Sequence, residues 1–347
     1  MEFRTPVPIQ PQEPKIGYSS KILLLGSCFV ENIGKKLEYF KFPNLLNPFG
    51  ILFHPEAILN LLRRVRSGYV FTETDIFYHN EAWHSYEAHS DLNAVEKEEI
   101  LKKLNSAVQE TGQFLKSATH VVITPGTAWG YRLKVTGEMV ANCHKVPQVN
   151  FSKEITNAKN ALFEAAGIVK ELNPKVQIIF TVSPVRHLKD GFIENQLSKA
   201  KLITAVQEIV ASEENCAYFP AYEIMMDELR DYRFYAEDMV HPNQTAVDYI
   251  WQKFQAAWIA SEASAVMKQV DTIQKGLLHR PFNETSEAHQ KFRRDLQQKI
   301  EKLEKDGWVY RTPDPVDRRR SWLLLTERAS NVMREYLAGI SLRPSQG

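Results

Sequence analysis

Short runs of apolar residues alternate along this chain with longer segments whose apolar residues recur every three or four positions. The apolar runs span residues 21–25, 120–124 and 176–182, and each stops at glycine, proline or serine. The periodic segments span residues 29–37, 95–117 and 195–212. Such runs are typical of buried strands, and the three-to-four spacing is typical of amphipathic helices. Strands that alternate with helices predict a doubly wound α/β fold, a parallel sheet flanked by helices.

Small and reactive residues follow each of these strands. They are Gly26-Ser27-Cys28 after the first strand, Gly126-Thr127-Ala128-Trp129 after the second and Ser183-Pro184-Val185-Arg186-His187 after the third. The carboxyl ends of parallel strands lie at one edge of the sheet, where ligands of open α/β sheets bind. We therefore expect the functional site at this edge.

The net charge, the length of the apolar runs and the cysteine spacing indicate which classes of partner and which cell compartment to expect. The 347 residues carry a formal net charge of +1, so no overall field draws the protein to nucleic acid or to an anionic membrane. No secretory signal is visible, and no apolar run approaches the roughly 20 residues that span a bilayer. Three widely spaced cysteines make a poor disulfide framework. We expect a cytoplasmic protein without a membrane partner, and homo-oligomerisation stays open.

A fourth segment, Asp238-Met239-Val240-His241-Pro242, precedes a helical pattern in the last third of the chain. A nucleophilic hydroxyl or thiol needs a base within hydrogen-bonding reach, and a carboxylate can fix the tautomer of that base. The Asp-x-x-His spacing lets one loop supply both groups, so we predict that Asp238 orients His241. The alternative, in which Asp238 caps the following helix and His241 only packs, stays open.

Several motifs, in order along the chain, resemble the GSCFA-type domain of the SGNH/GDSL hydrolase superfamily over about residues 3–303. They are residues 25–34 (Leu-Gly-Ser-Cys-Phe-Val-Glu-Asn-Ile-Gly), Asn47-Pro48-Phe49-Gly50, Gly126-Thr127-Ala128-Trp129, Asn142-Cys143-His144-Lys145, Ser183-Pro184-Val185-Arg186-His187 and Asp238-Met239-Val240-His241-Pro242. Val30 stands where the motif that names the family has alanine. The resemblance implies a flavodoxin-like sheet and an ester-hydrolysing or acyl-transferring site.

The resemblance leaves two candidates for the nucleophile. Aligning the superfamily's Gly-Asp-Ser motif with Gly26-Ser27-Cys28 puts Cys28 at the nucleophile position, whereas a shift of one residue puts Ser27 there. We favour Cys28, because a helix N-terminus and a nearby histidine can lower the pKa of a thiol. If Cys28 is instead a buried apolar residue, Ser27 is the nucleophile.

An oxyanion hole is also implied by the resemblance. Its candidate donors are Gly50, Gly126, Thr127 and Asn142, all of which have turn formation as the alternative role.

Arg186 and His187 are candidate substrate-binding residues. A guanidinium suits a carboxylate, phosphate or carbonyl group of the substrate. An ion pair of Arg186 with Asp190 or Glu194 is the structural alternative.

A metal site on Asn142-Cys143-His144-Lys145 is a further interpretation of this composition. Zinc sites favour separated pairs of ligands, and the adjacent Cys143 and His144 rarely bind one ion together. We therefore expect no metal and no cofactor.

The C-terminal residues differ from the rest and resemble the wing of MarR-like winged-helix regulators, with Arg318, Arg319 and Arg320 at the wing's tip. The preceding helices of such a domain are missing, so specific DNA binding is not expected. We divide the chain into a hydrolase-like domain, 1–305, and a small helix and hairpin appendage, 306–347. A fusion or frameshift artefact ranks first as its origin, a dimerisation element second and a DNA-binding module third.

The resemblance to the SGNH superfamily implies an esterase that acts on a small-molecule or saccharide ester. Transfer of an acetyl group to a saccharide on the same site is one alternative. A non-catalytic regulator, which senses a ligand and contacts DNA, is the other.

Overall fold

The computed structural model describes residues 5–279, 281–283, 285–305, 309–313 and 321–325. The strands are β1 (Ile22–Gly26), β2 (Asn44–Leu46), β3 (Phe77–His79), β4 (Ala82–His84), β5 (His120–Thr124), β6 (Trp129–Leu133), β7 (Met139–Val140), β8 (Phe151–Ile155), β9 (Gln177–Phe180), β10 (Cys216–Tyr218), β11 (Val309–Pro313) and β12 (Ser321–Leu325). The helices are α1 (Cys28–Tyr39), α2 (Pro55–Ser67), α3 (Lys97–Leu115), α4 (Ala158–Leu172), α5 (Phe192–Ser212), α6 (Ala221–Glu223), α7 (Gln244–Trp258), α8 (Ser261–Leu278) and α9 (Glu287–Lys305).

The described chain has a central five-stranded sheet in the order β10-β9-β5-β1-β2, and each of its pairings is parallel. After β1 the chain adds β2 on one side and then crosses to add β5, β9 and β10 on the other. The topological switch point therefore lies between β1 and β5, where Gly26 pairs with Thr124. The predicted doubly wound α/β fold is confirmed, and its switch point marks the crevice where such sheets bind ligands.

The apolar runs of the sequence become the innermost strands. Every residue of β1, β5 and β9 is buried. Helix α4 packs against both α2 and α5 through a buried stripe that includes Ala161, Leu162, Ala165 and Val169. The alanines in this stripe let neighbouring helices approach closely, so the core around the sheet is closed by small side chains as well as large ones.

Gly26 makes the sharp turn by which the chain leaves β1 and enters α1. Its backbone has φ +141°, a conformation that residues with a side chain rarely adopt. A Cβ atom at this position would also collide with the backbone carbonyl oxygen of Thr124. Glycine is therefore required at position 26, between the end of β1 and the start of α1.

Two small antiparallel elements accompany the central sheet. One is a three-stranded sheet in the order β7-β6-β8, and the other is the hairpin β3–β4. Val140, Val146 and Phe151 form a separate apolar cluster there, against which Phe77 and Tyr86 pack. This cluster gives the loops around residues 77–86 and 140–151 a core of their own.

The chain divides into two compact units. The first comprises residues 1–11, 22–34 and 44–257 and contains the central sheet. The second comprises residues 12–21, 35–43 and 258–347, and within it the Tyr18 ring stacks on Phe42 at 4.4 Å. The predicted boundary after residue 305 stays a prediction.

The C-terminal strands β11 and β12 pair as an antiparallel hairpin, with Val309 opposite Leu325. Arg318, Arg319 and Arg320 lie outside the described residues, so the resemblance to a MarR-like wing stays a prediction. Within the part of the chain that the structure describes, no helix has both the length and the apolar character needed to cross a bilayer.

Candidate active site

Ser27 and Cys28 occupy different environments at the end of β1. Ser27 is buried, its backbone N–H donates to Thr124 O at 3.0 Å, and its Oγ accepts the N–H of Phe29 at 3.3 Å. These contacts are those of a residue that caps a helix. Cys28 is the first residue of α1 and is partly exposed. Of these two neighbouring residues, Cys28 is therefore the more exposed.

The Cys28 thiol is harder to ionise than the sequence leads one to expect. Burial raises its pKa, and the carboxylate of Glu31 raises it further. The ammonium of Lys199 and the N–H groups of Cys28 and Phe29 act in the opposite direction without outweighing burial. The expectation of a lowered pKa was wrong, because desolvation penalises the thiolate more than the helix N-terminus stabilises it. The resting group is a thiol, and a base is needed to use it.

Asp238 and His241 form the pair that the sequence predicts. Asp238 Oδ2 lies 2.6 Å from His241 Nδ1, while Oδ1 accepts the N–H groups of Val240 and His241, each at 2.9 Å. The His241 N–H, the His241 ring and the Val240 N–H together lower the pKa of Asp238 to about 2. The carboxylate is therefore ionised at any ordinary pH and can hold a proton on Nδ1, which leaves Nε2 on the far side of the ring.

The loop that carries this pair, residues 235–243, is stiffened by its own hydrogen bonds and is named here the Asp-His loop. Ala236 N donates to His241 O at 2.7 Å, and Asn243 Nδ2 donates to Arg233 O at 2.6 Å. Asn243 Oδ1 accepts the N–H of Ala246 in the first turn of α7. Asn243 therefore caps this helix, and the alternative role of Asp238 as its cap is wrong.

A backbone contact ties the Asp-His loop to the edge of the sheet. Arg186 N, in the segment after β9, donates to Val240 O at 3.2 Å. The same edge is linked internally, since Ser183 N donates to Pro125 O at 3.0 Å. These two contacts join the segments after β5 and β9 and the Asp-His loop at one edge of the sheet.

Lys199 is a site residue that the sequence reading missed. It is 1% exposed, and its Nζ donates to Gly126 O at 2.7 Å and to Ser183 O at 2.6 Å, the carbonyls just beyond β5 and β9. Burial lowers its pKa to about 7, while the Cys28 thiolate acts to raise it. The sequence does contain an indication of this, because position 199 lies on the same face of α5 as the buried residues 202, 206 and 209. A lysine on the apolar face of a helix indicates a buried amine.

Lys199→Met is expected to change how stability depends on pH. The folded-state pKa is about 7 and the ordinary value is 10.5, so between these values the unfolded chain binds one more proton. This group therefore makes the natural protein more stable as pH rises from 7 to 10, by up to about 1.4 kcal/mol per pH unit, and the variant lacks that gain. Urea unfolding at a series of pH values measures it.

Lys170→Met is the matched control, since Lys170 is paired with Glu213 on the protein surface. Equal pH slopes for the natural protein and Lys199→Met would show that Lys199 titrates normally.

His187 lies deep beside the same carbonyls. Burial, together with the charges of Lys199 and His241, lowers its pKa to about 3. Its Nε2 is buried and has no hydrogen-bond partner among the described residues. A Cβ at Gly126 would lie 2.7 Å from this atom, so glycine is needed there for the close approach of His187. His187 is therefore a neutral imidazole inside the candidate site.

The predicted oxyanion donors are engaged in the fold. Gly50 N donates to Asn47 O at 2.7 Å, and Gly126 N donates to Phe53 O at 2.7 Å. The Thr127 hydroxyl bonds that of Ser198 at 3.0 Å. Asn142 Oδ1 accepts the backbone N–H of His144 at 2.8 Å. Each of these residues shapes a turn or a loop, and their role toward an oxyanion stays a prediction.

Arg186 stacks on aromatic rings beside the Asp-His loop. Its guanidinium carbon lies 4.1 Å from the ring centre of Tyr235 and 5.3 Å from that of Tyr232. Asp190 instead pairs with Lys153 at 2.6 Å. Among the described residues no carboxylate forms a salt bridge with Arg186, so the structural alternative of an ion pair with Asp190 or Glu194 does not hold.

Comparison with known proteins places the chain in a family. No curated protein matches it. The model of the GSCFA family matches residues 21–254, a segment that contains Cys28, Lys199 and the Asp-His loop. A second model, described as the C-terminal domain of GSCFA domain proteins, matches residues 270–307. Since the first match covers more than half of the chain, the protein belongs to the GSCFA family.

Proposed function

We propose that this protein hydrolyses carboxylic esters through an acyl-thioester on Cys28, as the resemblance to SGNH hydrolases implies. The observation that carries the proposal is the 2.6 Å contact between Asp238 Oδ2 and His241 Nδ1, in a loop whose Val240 O accepts the N–H of Arg186 after β9. A carboxylate in this position keeps the proton on Nδ1 and makes Nε2 the base. Because burial raises the pKa of Cys28, such a base is required.

Each step of this mechanism balances its protons. His241 Nε2 takes the thiol proton while the Cys28 sulfur attacks the ester carbonyl carbon and the carbonyl oxygen becomes an oxyanion. Collapse of this tetrahedral intermediate breaks the carbon–oxygen bond to the leaving alcohol, and the alcohol oxygen takes the proton from the His241 imidazolium. Water then gives a proton to Nε2 and attacks the thioester carbonyl, and collapse releases the carboxylic acid and the Cys28 thiol.

Two features of the site support charge development at the sulfur and at the carbonyl oxygen. Lys199 is a buried amine within electrostatic range of Cys28, and its positive form stabilises the thiolate. The first turn of α1 adds N–H groups and the positive end of the helix dipole. We assign the oxyanion to the positive end of this helix with the Cys28 N–H as its donor, since the N–H groups of Phe29 and Val30 donate to Ser27. The donors of Gly50, Gly126 and Thr127 are likewise engaged.

Exposure favours hydrolysis over acyl transfer. The side chains of His241 and Asp238 are 47% and 50% exposed, so water reaches the base directly. Transfer of an acyl group to a saccharide requires a site that excludes water from the acyl-enzyme. We therefore rank transfer second.

Arg186 indicates the kind of ester. Its charge has no carboxylate partner among the described residues, and its backbone is bound to the Asp-His loop. A guanidinium that is stacked on a ring and lacks an ion pair suits an anion whose two oxygens accept parallel hydrogen bonds. We propose that the substrate carries a carboxylate or phosphate near the ester bond.

The test is covalent trapping with a series of p-nitrophenyl acyl esters, including one with a terminal carboxylate, followed by acid quench and peptide mass spectrometry. We expect one acyl group on Cys28 that hydroxylamine removes as a thioester. Cys216→Ala, which removes a thiol at β10 away from the strand ends of the site, is the matched control and should label normally. Acylation that persists in Cys28→Ala would contradict the covalent mechanism.

A further inference from the structure

Two histidines outside the proposed catalytic group face each other through ring nitrogens that cannot hydrogen-bond to one another when both rings are neutral. His84 ends β4, and His144 belongs to the loop after β7; both are buried. Their Nδ1 atoms lie 3.2 Å apart, and their ring centres lie 4.7 Å apart.

The second nitrogen of each ring forms a hydrogen bond with a backbone carbonyl oxygen. His84 Nε2 lies 2.7 Å from His79 O, and His144 Nε2 lies 2.7 Å from Ser85 O. A carbonyl oxygen can only accept, so both Nε2 atoms must carry the hydrogen. In the neutral rings both Nδ1 atoms then hold lone pairs, and these lone pairs point at one another.

We propose that His84 and His144 bind one divalent late-transition-metal ion, of which zinc is the first choice, through their Nδ1 atoms. Neutral imidazole nitrogen is a preferred ligand of zinc, copper and nickel. A tetrahedral ion about 2.0–2.1 Å from two nitrogens sets them about 3.3–3.4 Å apart, close to the observed 3.2 Å.

The surroundings of the pair are those of oriented metal ligands. Metal-binding histidines commonly donate their other N–H to a carbonyl, which fixes the tautomer and the ring direction. His144 also has φ +47°, a conformation that costs energy in a residue with a side chain, and its N–H is held by Asn142 Oδ1. Phe77 stacks on His84, with 5.4 Å between ring centres. The backbone and its neighbours thus hold both rings in place.

The alternative occupant is a proton. It would turn one ring into an imidazolium that donates to the other, but a charged ring in this buried position loses hydration without a carboxylate in contact. An ion forms a coordinate bond to each nitrogen. Among the described residues no third histidine, cysteine, aspartate or glutamate joins the pair, so water or backbone oxygen completes the shell.

This proposal revises the expectation of no metal. That expectation considered Cys143 and His144 as neighbours in sequence, and the partner of His144 comes instead from residue 84, sixty positions earlier. The inference is independent of the proposed esterase activity, because it concerns binding of an ion and needs no substrate.

The test is calorimetric titration of the chelator-treated protein with Zn²⁺ at neutral pH, with Co²⁺ absorption as a second measurement. We expect one ion per chain and an affinity at least about 100-fold lower in His84→Gln and in His144→Gln. Glutamine keeps a donor for the carbonyl while removing the Nδ1 lone pair. His279→Gln, which changes an exposed histidine, is the matched control.

Absence of binding, or equal binding in both glutamine variants, would overturn the proposal. So would a proton shared between the two Nδ1 atoms in nitrogen NMR of the zinc-treated protein. If a variant fails to fold, X-ray absorption of the zinc-loaded natural protein decides instead: two imidazole nitrogens at about 2.0–2.1 Å support the site, and oxygen-only coordination refutes it.

Discussion

Cys28→Ala is expected to lower kcat/KM for ester hydrolysis by at least about 10³-fold, whereas Ser27→Ala is expected to lower it only slightly. The first change removes the proposed nucleophile, and binding and oxyanion stabilisation alone leave a small residual rate. The second removes a buried helix cap whose Oγ accepts the Phe29 N–H, so it costs about 1 kcal/mol of stability instead. Initial rates with the acyl esters and urea unfolding measure the two effects separately.

Cys216→Ala is the control for loss of a thiol as such. The opposite pattern, with Ser27→Ala inactive and Cys28→Ala active, would make the serine the nucleophile and would require its hydroxyl to leave the helix cap.

Asp238→Asn should lower kcat by about 10²–10⁴-fold with little change in stability. An asparagine oxygen can still accept the N–H groups of Val240 and His241, so the Asp-His loop keeps its shape. Its amide group cannot accept the Nδ1 proton, so His241 is held in the tautomer with the proton on Nε2 and cannot act as the base. In the natural protein, protonation of Asp238 should cause no loss of hydrolysis rate above pH 4, because the pKa of this carboxyl is about 2.

Asp231→Asn is the matched control, since Asp231 also accepts a backbone N–H two residues ahead, from Arg233, in an exposed turn. Equal kcat for Asp238→Asn and the natural protein would exclude His241 as a base that depends on Asp238.

The fold could be predicted because its signals are local. Apolar runs as short as β1 and β5 define strands, and the turn residues that follow them define where the strands end. The Asp-x-x-His spacing likewise fixed Asp238 and His241 in one loop. These features depend on residues close together in the sequence, so the sequence alone contains them.

The remaining features depend on contacts between distant parts of the chain. Whether Ser27 or Cys28 reaches solvent depends on how β1 exits beside Thr124, and the raised pKa of Cys28 depends on burial by other elements. The pairing of Lys199 with Gly126 O and of His84 with His144 joins residues more than fifty positions apart. No short motif encodes these pairs, so periodicity could only mark Lys199 as an unusual residue on an apolar stripe.

The construction of the Asp-His loop also affects which mutations this protein could accept during evolution. Its shape depends on bonds within itself, such as Ala236 N to His241 O, and on backbone atoms of neighbouring residues, such as Arg186 N and Arg233 O, which any side chain at positions 186 and 233 would preserve. Mutations on the surrounding surface can therefore alter which molecules are recognised while the carboxylate and imidazole keep their mutual geometry. Such a separation would let new specificities arise by small steps while the arrangement of Asp238 and His241 is kept.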